Sequence, residues 1–388
     1  MNAIRVAITA AILLSTAAAP AQWEILPSAS TASLRGIHAV GNGVAWASGT
    51  EGTVLHTTDD GKTWQRCATP PDATQLDFRG VQAFDARTAI VMSSGKGSLS
   101  RLYKTSDACA TWKLVFTNPD PDGFWDALVF EADVWHTSSK ASNLSGPEKT
   151  GFLLGDPVNG RFVIYETRDT GQSWHLVVAP HSRDQEPVSL PKEAAFAASN
   201  TSLISPGFHR DFAFVTGGPA GARLILEGES YSPKRALLQF RALPLPLAKS
   251  DSAGAFSTAA RYTPAPNYNV EFMIVGGDFQ HPDDPSGTAV FVSGADRPQP
   301  TILPAITPPH GYRSAVAYDA ATKTWITVGP NGTDISTDDG RNWRALKPGA
   351  TDQPDADQHW NALSLPFVIG PHGRIGKLRP DALKAAKP

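Results

Sequence analysis

One pattern recurs seven times along this chain of 388 residues and limits what it can fold into. A short apolar run is followed by a glycine-bounded turn, and the turn by a second run. The copies begin at Val44-Ala45-Trp46-Ala47-Ser48-Gly49, Ile90-Val91-Met92, Phe152-Leu153-Leu154-Gly155 and Phe214-Val215-Thr216-Gly217. The last three begin at Met273-Ile274-Val275-Gly276, Ile326-Thr327-Val328-Gly329 and Phe367-Val368-Ile369-Gly370. Each reads as a β-hairpin, because glycine reaches the positive φ that tight turns demand. A partly alternating apolar run precedes each copy, over 34–40, 78–84, 124–130, 193–199, 255–261, 312–318 and 359–365. Every unit therefore opens with one strand and continues with a hairpin.

Four units carry a further motif after the hairpin. It reads Thr57-Thr58-Asp59-Asp60-Gly61-Lys62-Thr63-Trp64 in the first and Thr105-Ser106-Asp107-Ala108-Cys109-Ala110-Thr111-Trp112 in the second. The others are Thr167-Arg168-Asp169-Thr170-Gly171-Gln172-Ser173-Trp174 and Ser336-Thr337-Asp338-Asp339-Gly340-Arg341-Asn342-Trp343. This is the Asp-box. Its aspartate, Asp59, Asp107, Asp169 or Asp338, accepts hydrogen bonds from turn amides, and glycine takes the strained position. Its tryptophan, Trp64, Trp112, Trp174 or Trp343, packs between sheets. Two units hold Ser230-Tyr231-Ser232-Pro233 and Ser293-Gly294-Ala295-Asp296 in the same slot. A fourth strand follows the box. The seventh unit lacks one, while Gln22-Trp23-Glu24-Ile25-Leu26-Pro27 is a fourth strand without a unit. Pairing the two closes the ring and removes free sheet edges. The predicted fold is all-β: a seven-bladed β-propeller of four-stranded antiparallel blades, one domain over 22–388, closed by its N-terminal strand.

Asp-boxes that follow G-x-x-G hairpins resemble the BNR/Asp-box propellers. More closely, the chain resembles the family of the photosystem II stability and assembly factor. The resemblance covers essentially the whole mature chain, and it implies an assembly or scaffolding role with a protein partner. Sialidases also carry Asp-boxes, so a glycan-directed hydrolase working through carboxylates at the channel mouth is the enzymatic alternative. Their Arg-Ile-Pro signature is absent before the first box, and seven units depart from their six blades.

No H-E-x-x-H, G-x-S-x-G, Walker A or dinucleotide fingerprint occurs, and the histidines are scattered. No catalytic residue, metal or cofactor is therefore expected. A net charge of -3 argues against a nucleic-acid partner, which requires excess Lys and Arg. Residues 1–21 read as a signal peptide: Arg5, an apolar core from Val6 to Leu14, and Ala19-Pro20-Ala21 as a small-x-small cleavage site. The apolar core is shorter than the roughly 20 residues that span a bilayer. An extracytoplasmic protein, periplasmic or secreted, with no membrane span is the expectation. Cys67 and Cys109 follow or lie within the boxes of adjacent units, so one disulfide is plausible there.

First strands line the channel of a propeller. Aligned by sequence, they place Arg35, Arg79 and Arg313 at one position, with Asp126 at the next and Glu193 opening the fourth unit. Hairpin turns of the same face supply Asp156, Asp278 and Asp334. This mouth is the candidate binding site for a protein partner or a polar, anionic ligand, because the planar guanidinium fork holds carboxylate or phosphate bidentately. The same residues could instead form Arg–carboxylate pairs that only lock the blades together.

Overall fold

The computed structural model describes residues 22–131, 149–177, 187–206, 212–229, 238–263, 269–349 and 352–383. The leader 1–21 and the 230–233 slot lie outside them. The described residues form seven four-stranded antiparallel sheets, arranged as the blades of a ring. No α-helix occurs among them, and no helix there is long and apolar enough to cross a membrane.

Trp23–Leu26 completes the last blade as its outer strand, pairing antiparallel from Trp23↔Leu378 to Leu26↔Ile375. The blades are held by apolar contact between successive sheets. Seven buried clusters coincide with the seven seams. Trp64 packs between blades 7 and 1, Trp112 between 1 and 2, Trp174 between 2 and 3, and Trp343 between 5 and 6. Trp23 does the same between blades 6 and 7, where its indole N–H donates to Thr333 Oγ1 at 3.0 Å. The seams on either side of blade 4 have no box tryptophan and are filled by Phe152, Phe162, Phe212 and Phe214 or by Leu and Val side chains.

The box turns are held as their composition requires. Asp59 accepts from the Thr63 amide at 2.9 Å and the Thr63 hydroxyl at 2.7 Å, and the Gly61 amide donates to Thr57 Oγ1 at 3.0 Å. These bonds hold the Asp59 carboxyl down to about 2. The Thr111 hydroxyl and amide do the same for Asp107, which also falls to about 2. Asp169 and Asp338 repeat the arrangement with Ser173 and Asn342. A charge engaged this way is a turn staple rather than a reactive group.

Blade 4 departs from the sequence-based expectation. Its first strand is Leu203–Ile204, paired with Phe214 and Ala213, not 193–199. The chain touches the sheet at Ala194, opposite Gly217, and then leaves it. The next residues cross the ring. The Ala197 carbonyl accepts from Arg79 Nη1 of blade 2 at 3.2 Å. The Asn200 side chain pairs both with the amide and with the carbonyl of Leu128 in blade 3, at 2.9 and 3.0 Å. Thr201 bonds Ser257 Oγ and the Thr258 amide in blade 5, and Ser199 donates to the Ser314 carbonyl beside blade 6. One segment that reaches the inner walls of four blades must run through the middle of the channel, so 195–202 is a plug. Its run Ser199-Asn200-Thr201-Ser202 explains the choice. Short polar side chains satisfy strand walls from the side, and Asn200 takes φ 65, a left-handed conformation that asparagine tolerates.

Candidate site at the plugged channel mouth

The first strands begin with a bulge that decides which side chain faces the channel. Pairing shifts between Leu34 and Gly36, Phe78 and Gly80, Trp125 and Ala127, and Ala255 and Ser257. The bulged residues are therefore Arg35, Arg79, Asp126 and Phe256. Arg313 is not among them. Its amide donates to Gly276 of the preceding blade, as the amide of Leu34 donates to Gly370 and that of Trp360 to Gly329. Arg313 thus occupies the slot of Leu34, and Ser314 the slot of Arg35. The sequence alignment was one residue out in blade 6, and in blade 3 as well, where Asp126 rather than Trp125 takes the slot of Arg35; one residue moves a side chain to the other face of a strand.

Arg35 and Arg79 do come together. They share a carboxylate that the sequence reading missed, Asp77, at 3.5 Å from Arg35 Nε and 2.8 Å from Arg79 Nε. Both arginine side chains are close to 30% exposed, at 31% and 29%. Burial lowers the Arg35 pKa, Asp77 opposes that, and Arg79 adds to the lowering. Two guanidiniums on one carboxylate leave a net positive charge at the mouth. An aromatic wall stands beside them. Phe256 stacks on Phe196 of the plug at 4.0 Å, meets Tyr312 edge-on at 4.8 Å, and lies 6.1 Å from the exposed Phe279. The Tyr312 phenol is buried and pushed up, an effect Arg35 partly offsets.

Asp126 and Asp156 form the second pair, against the plug. Asp126 is fully buried, and neither of its carboxylate oxygens has a hydrogen-bond partner. Burial, then the nearby Asp156, pushes its pKa well above the usual carboxylate range against the pull of Arg79. Burial raises Asp156 to about 6, although its Oδ1 accepts from the Ala195 amide of the plug at 3.0 Å.

The remaining candidates lie apart, each with its own partners. Arg313 is fully buried, with Nε donating to Asp334 Oδ2 at 2.9 Å and Nη1 to the Tyr312 carbonyl at 2.7 Å. His310 Nδ1 sits 2.9 Å from the other oxygen of Asp334. Asp334 lies on the third strand of blade 6 rather than in a hairpin turn. Glu193 is buried against Arg223, whose Nε is 2.7 Å from Oε1, and against the Thr216 hydroxyl at 2.5 Å. Asp278 accepts from Ser252 at 2.6 Å and Ser250 at 3.1 Å. Burial would raise it, but those bonds and His281 hold it near about 2. Cys67 and Cys109 are joined by a disulfide in the seam between blades 1 and 2.

Some of what was missed had a signal. Asp77 stands two residues before Arg79, in the loop that enters the strand. Phe196 had none, because it was read as a strand residue and serves instead as the aromatic face of the plug.

No family model matches the chain, and no curated protein matches it. Solved structures match it in fold. A structure of YCF48 bound to D1 peptide aligns at 15% identity with a TM-score of 0.55, over 93% of this chain and 97% of that one. YCF48 from Cyanidioschyzon merolae aligns at 16% identity and TM-score 0.52, over 93% of this chain and 100% of that one. The extracellular domain of a one-component system from B. thetaiotaomicron aligns at 13% identity and TM-score 0.54, over 92% of this chain but 40% of that one. In fold, the chain is a β-propeller like that of the photosystem II assembly factor YCF48.

Proposed function

We propose that this chain is a non-catalytic, extracytoplasmic binding propeller that seats a carboxylate-bearing protein segment on the plugged mouth of its channel. The observation that carries the reading is the Arg35–Asp77–Arg79 cluster, where two partly exposed arginines answer to one carboxylate beside an aromatic wall. Arginine with aromatic neighbours suits a peptide carboxylate, because the fork is bidentate and the rings bury the flanking side chain. The fold likeness to YCF48, seen in one structure with a D1 peptide, supports a protein partner. The leader-like 1–21 and the disulfide support an oxidising compartment outside the cytoplasm. A glycan hydrolase needs two carboxylates within reach of substrate. Among the described residues, the adjacent pair Asp126 and Asp156 includes Asp126, which has no solvent exposure.

The test is fluorescence anisotropy with labelled peptides taken from the acidic C-termini of the host's exported and membrane proteins. Each is made with a free and with an amidated terminus. The reading predicts binding to free-acid peptides that weakens as salt rises from about 0.05 to about 0.5 M. Binding that ignores both salt and amidation would refute it.

A further inference from the structure

The seam between blades 1 and 2 holds a second cluster, made of residues that the mouth does not use. Cys109 stands at the glycine position of its box, with φ 60. The three intact boxes show where a side chain there must point. A Cβ on Gly61, Gly171 or Gly340 would come within 2.6 Å of Phe367, 2.3 Å of Ile90 or 2.4 Å of Met273, all apolar seam residues. In blade 2 the side chain follows that direction and meets Cys67 of blade 1. A ring nitrogen of His56, also from blade 1, completes the group: it and both sulfurs lie within 4.8 Å of one another. His56, Cys67 and Cys109 are 7%, 7% and 4% exposed. The imidazole is stacked on Trp46 at 4.8 Å, and its buried Nδ1 has no hydrogen-bond partner. Gln65, on the neighbouring strand, is the other polar group that faces the ring.

We propose that reduction of the Cys67–Cys109 disulfide converts this group into a binding site for a thiophilic divalent cation, Zn²⁺, held by the two sulfurs and His56. The seam then exists in two states, one closed by a covalent bond and one by a metal. The reductant is a dithiol. It delivers two electrons and two protons, the S–S bond breaks, two S–H bonds form, and the donor becomes a disulfide. Metal capture releases both protons to solvent as the thiolates bind. Two thiolates and one neutral imidazole are a donor set that tetrahedral zinc accepts, with one position left for water. On such an ion the sulfurs stand about 3.8 Å apart, which side-chain rotation can reach from a bridged pair. His56 is already buried against Trp46 and needs no ordering.

The experiment uses the full mature chain in metal-free buffer, oxidised or reduced with a phosphine. Zinc is titrated against a chromophoric chelator, Co²⁺ serves as the optical reporter of thiolate ligation, and melting curves follow the fold. The expected result is one Zn²⁺ per reduced chain and none per oxidised chain. Cys67→Ser should abolish binding, and His56→Ala should weaken it at least tenfold while the oxidised variant still melts cooperatively. Three results would overturn the proposal: a reduced, folded chain that takes up no zinc; a His56→Ala chain that binds as tightly as the wild type; or a reduced chain that unfolds and is not restored by zinc.

Discussion

Asp334 in blade 6 and Asp126 in blade 3 are both buried, and the fold treats them in opposite ways. Asp334 receives Arg313 on one oxygen and His310 on the other. Burial alone would raise its pKa, but those partners hold it below the usual carboxylate range. Asp126 receives no hydrogen bond on either oxygen. The blade 6 cluster is thus a closed lock whose charges are used up internally. The region of blades 1 to 3 is left incomplete, with two guanidiniums sharing Asp77 and an Asp126 carboxyl that receives no hydrogen bond. A lock stabilises the ring, whereas groups left unsatisfied are available to a ligand or to a proton.

The sharpest way to break this contrast is to open the lock. Arg313→Met strands the Asp334 charge in the interior and should cost about 3 to 5 kcal/mol in urea unfolding. Adding Asp334→Leu should recover a large part of that, since replacing a whole buried pair by apolar groups is far less harmful than removing one member. Equal losses in the single and double variants would mean that the cluster is not coupled.

The open region should reveal itself in pH dependence. Burial pushes Asp156 up to about 6 in the fold from an ordinary aspartate value of 3.8, so in that window the folded state holds a proton that the unfolded chain has shed. Stability must then fall as pH rises from about 4 to about 6, by at most about 3 kcal/mol. Asp156→Asn should flatten that limb of the stability profile. A wild-type profile that rises across the same window would contradict the burial of Asp156 against the plug.

Asp126→Leu replaces two unsatisfied oxygens by methyl groups with the same branching. It should stabilise the protein by about 1 to 3 kcal/mol at neutral pH, read from the urea midpoint. A loss of stability would show that Asp126 has a partner in solution.

The ring was legible in the sequence because its signals are local. Glycines at hairpin turns, box residues at fixed offsets and the unpaired 22–27 strand each report on a few neighbouring residues, and their agreement specifies seven blades. Two features were not legible, and each turns on a competition that short-range pattern does not record. The segment 193–199 alternates like a strand, yet Glu193 is anchored by Arg223 and Thr216, and the polar run after it bonds the walls of other blades. Arg313 looks equivalent to Arg35 and Arg79 when counted along the chain. Its amide instead bonds the preceding blade as that of Leu34 does, so Arg313 takes the slot of Leu34 and turns into the interior. Side-chain alternation shows that a strand exists but not where its bulge falls.

The central claim is that the mouth arginines recognise a partner while the blade 6 arginine only holds the ring together. The measurement is a paired one: melting midpoint and peptide affinity, on Arg35→Ala/Arg79→Ala and on Arg313→Met. The mouth variant should lose about 1 to 2 kcal/mol of stability, since its groups are partly exposed, and should lose salt-dependent binding. Arg313→Met should melt far lower yet bind normally in its folded fraction. Unaltered affinity in the mouth variant, or lost affinity in folded Arg313→Met, would contradict that division of labour.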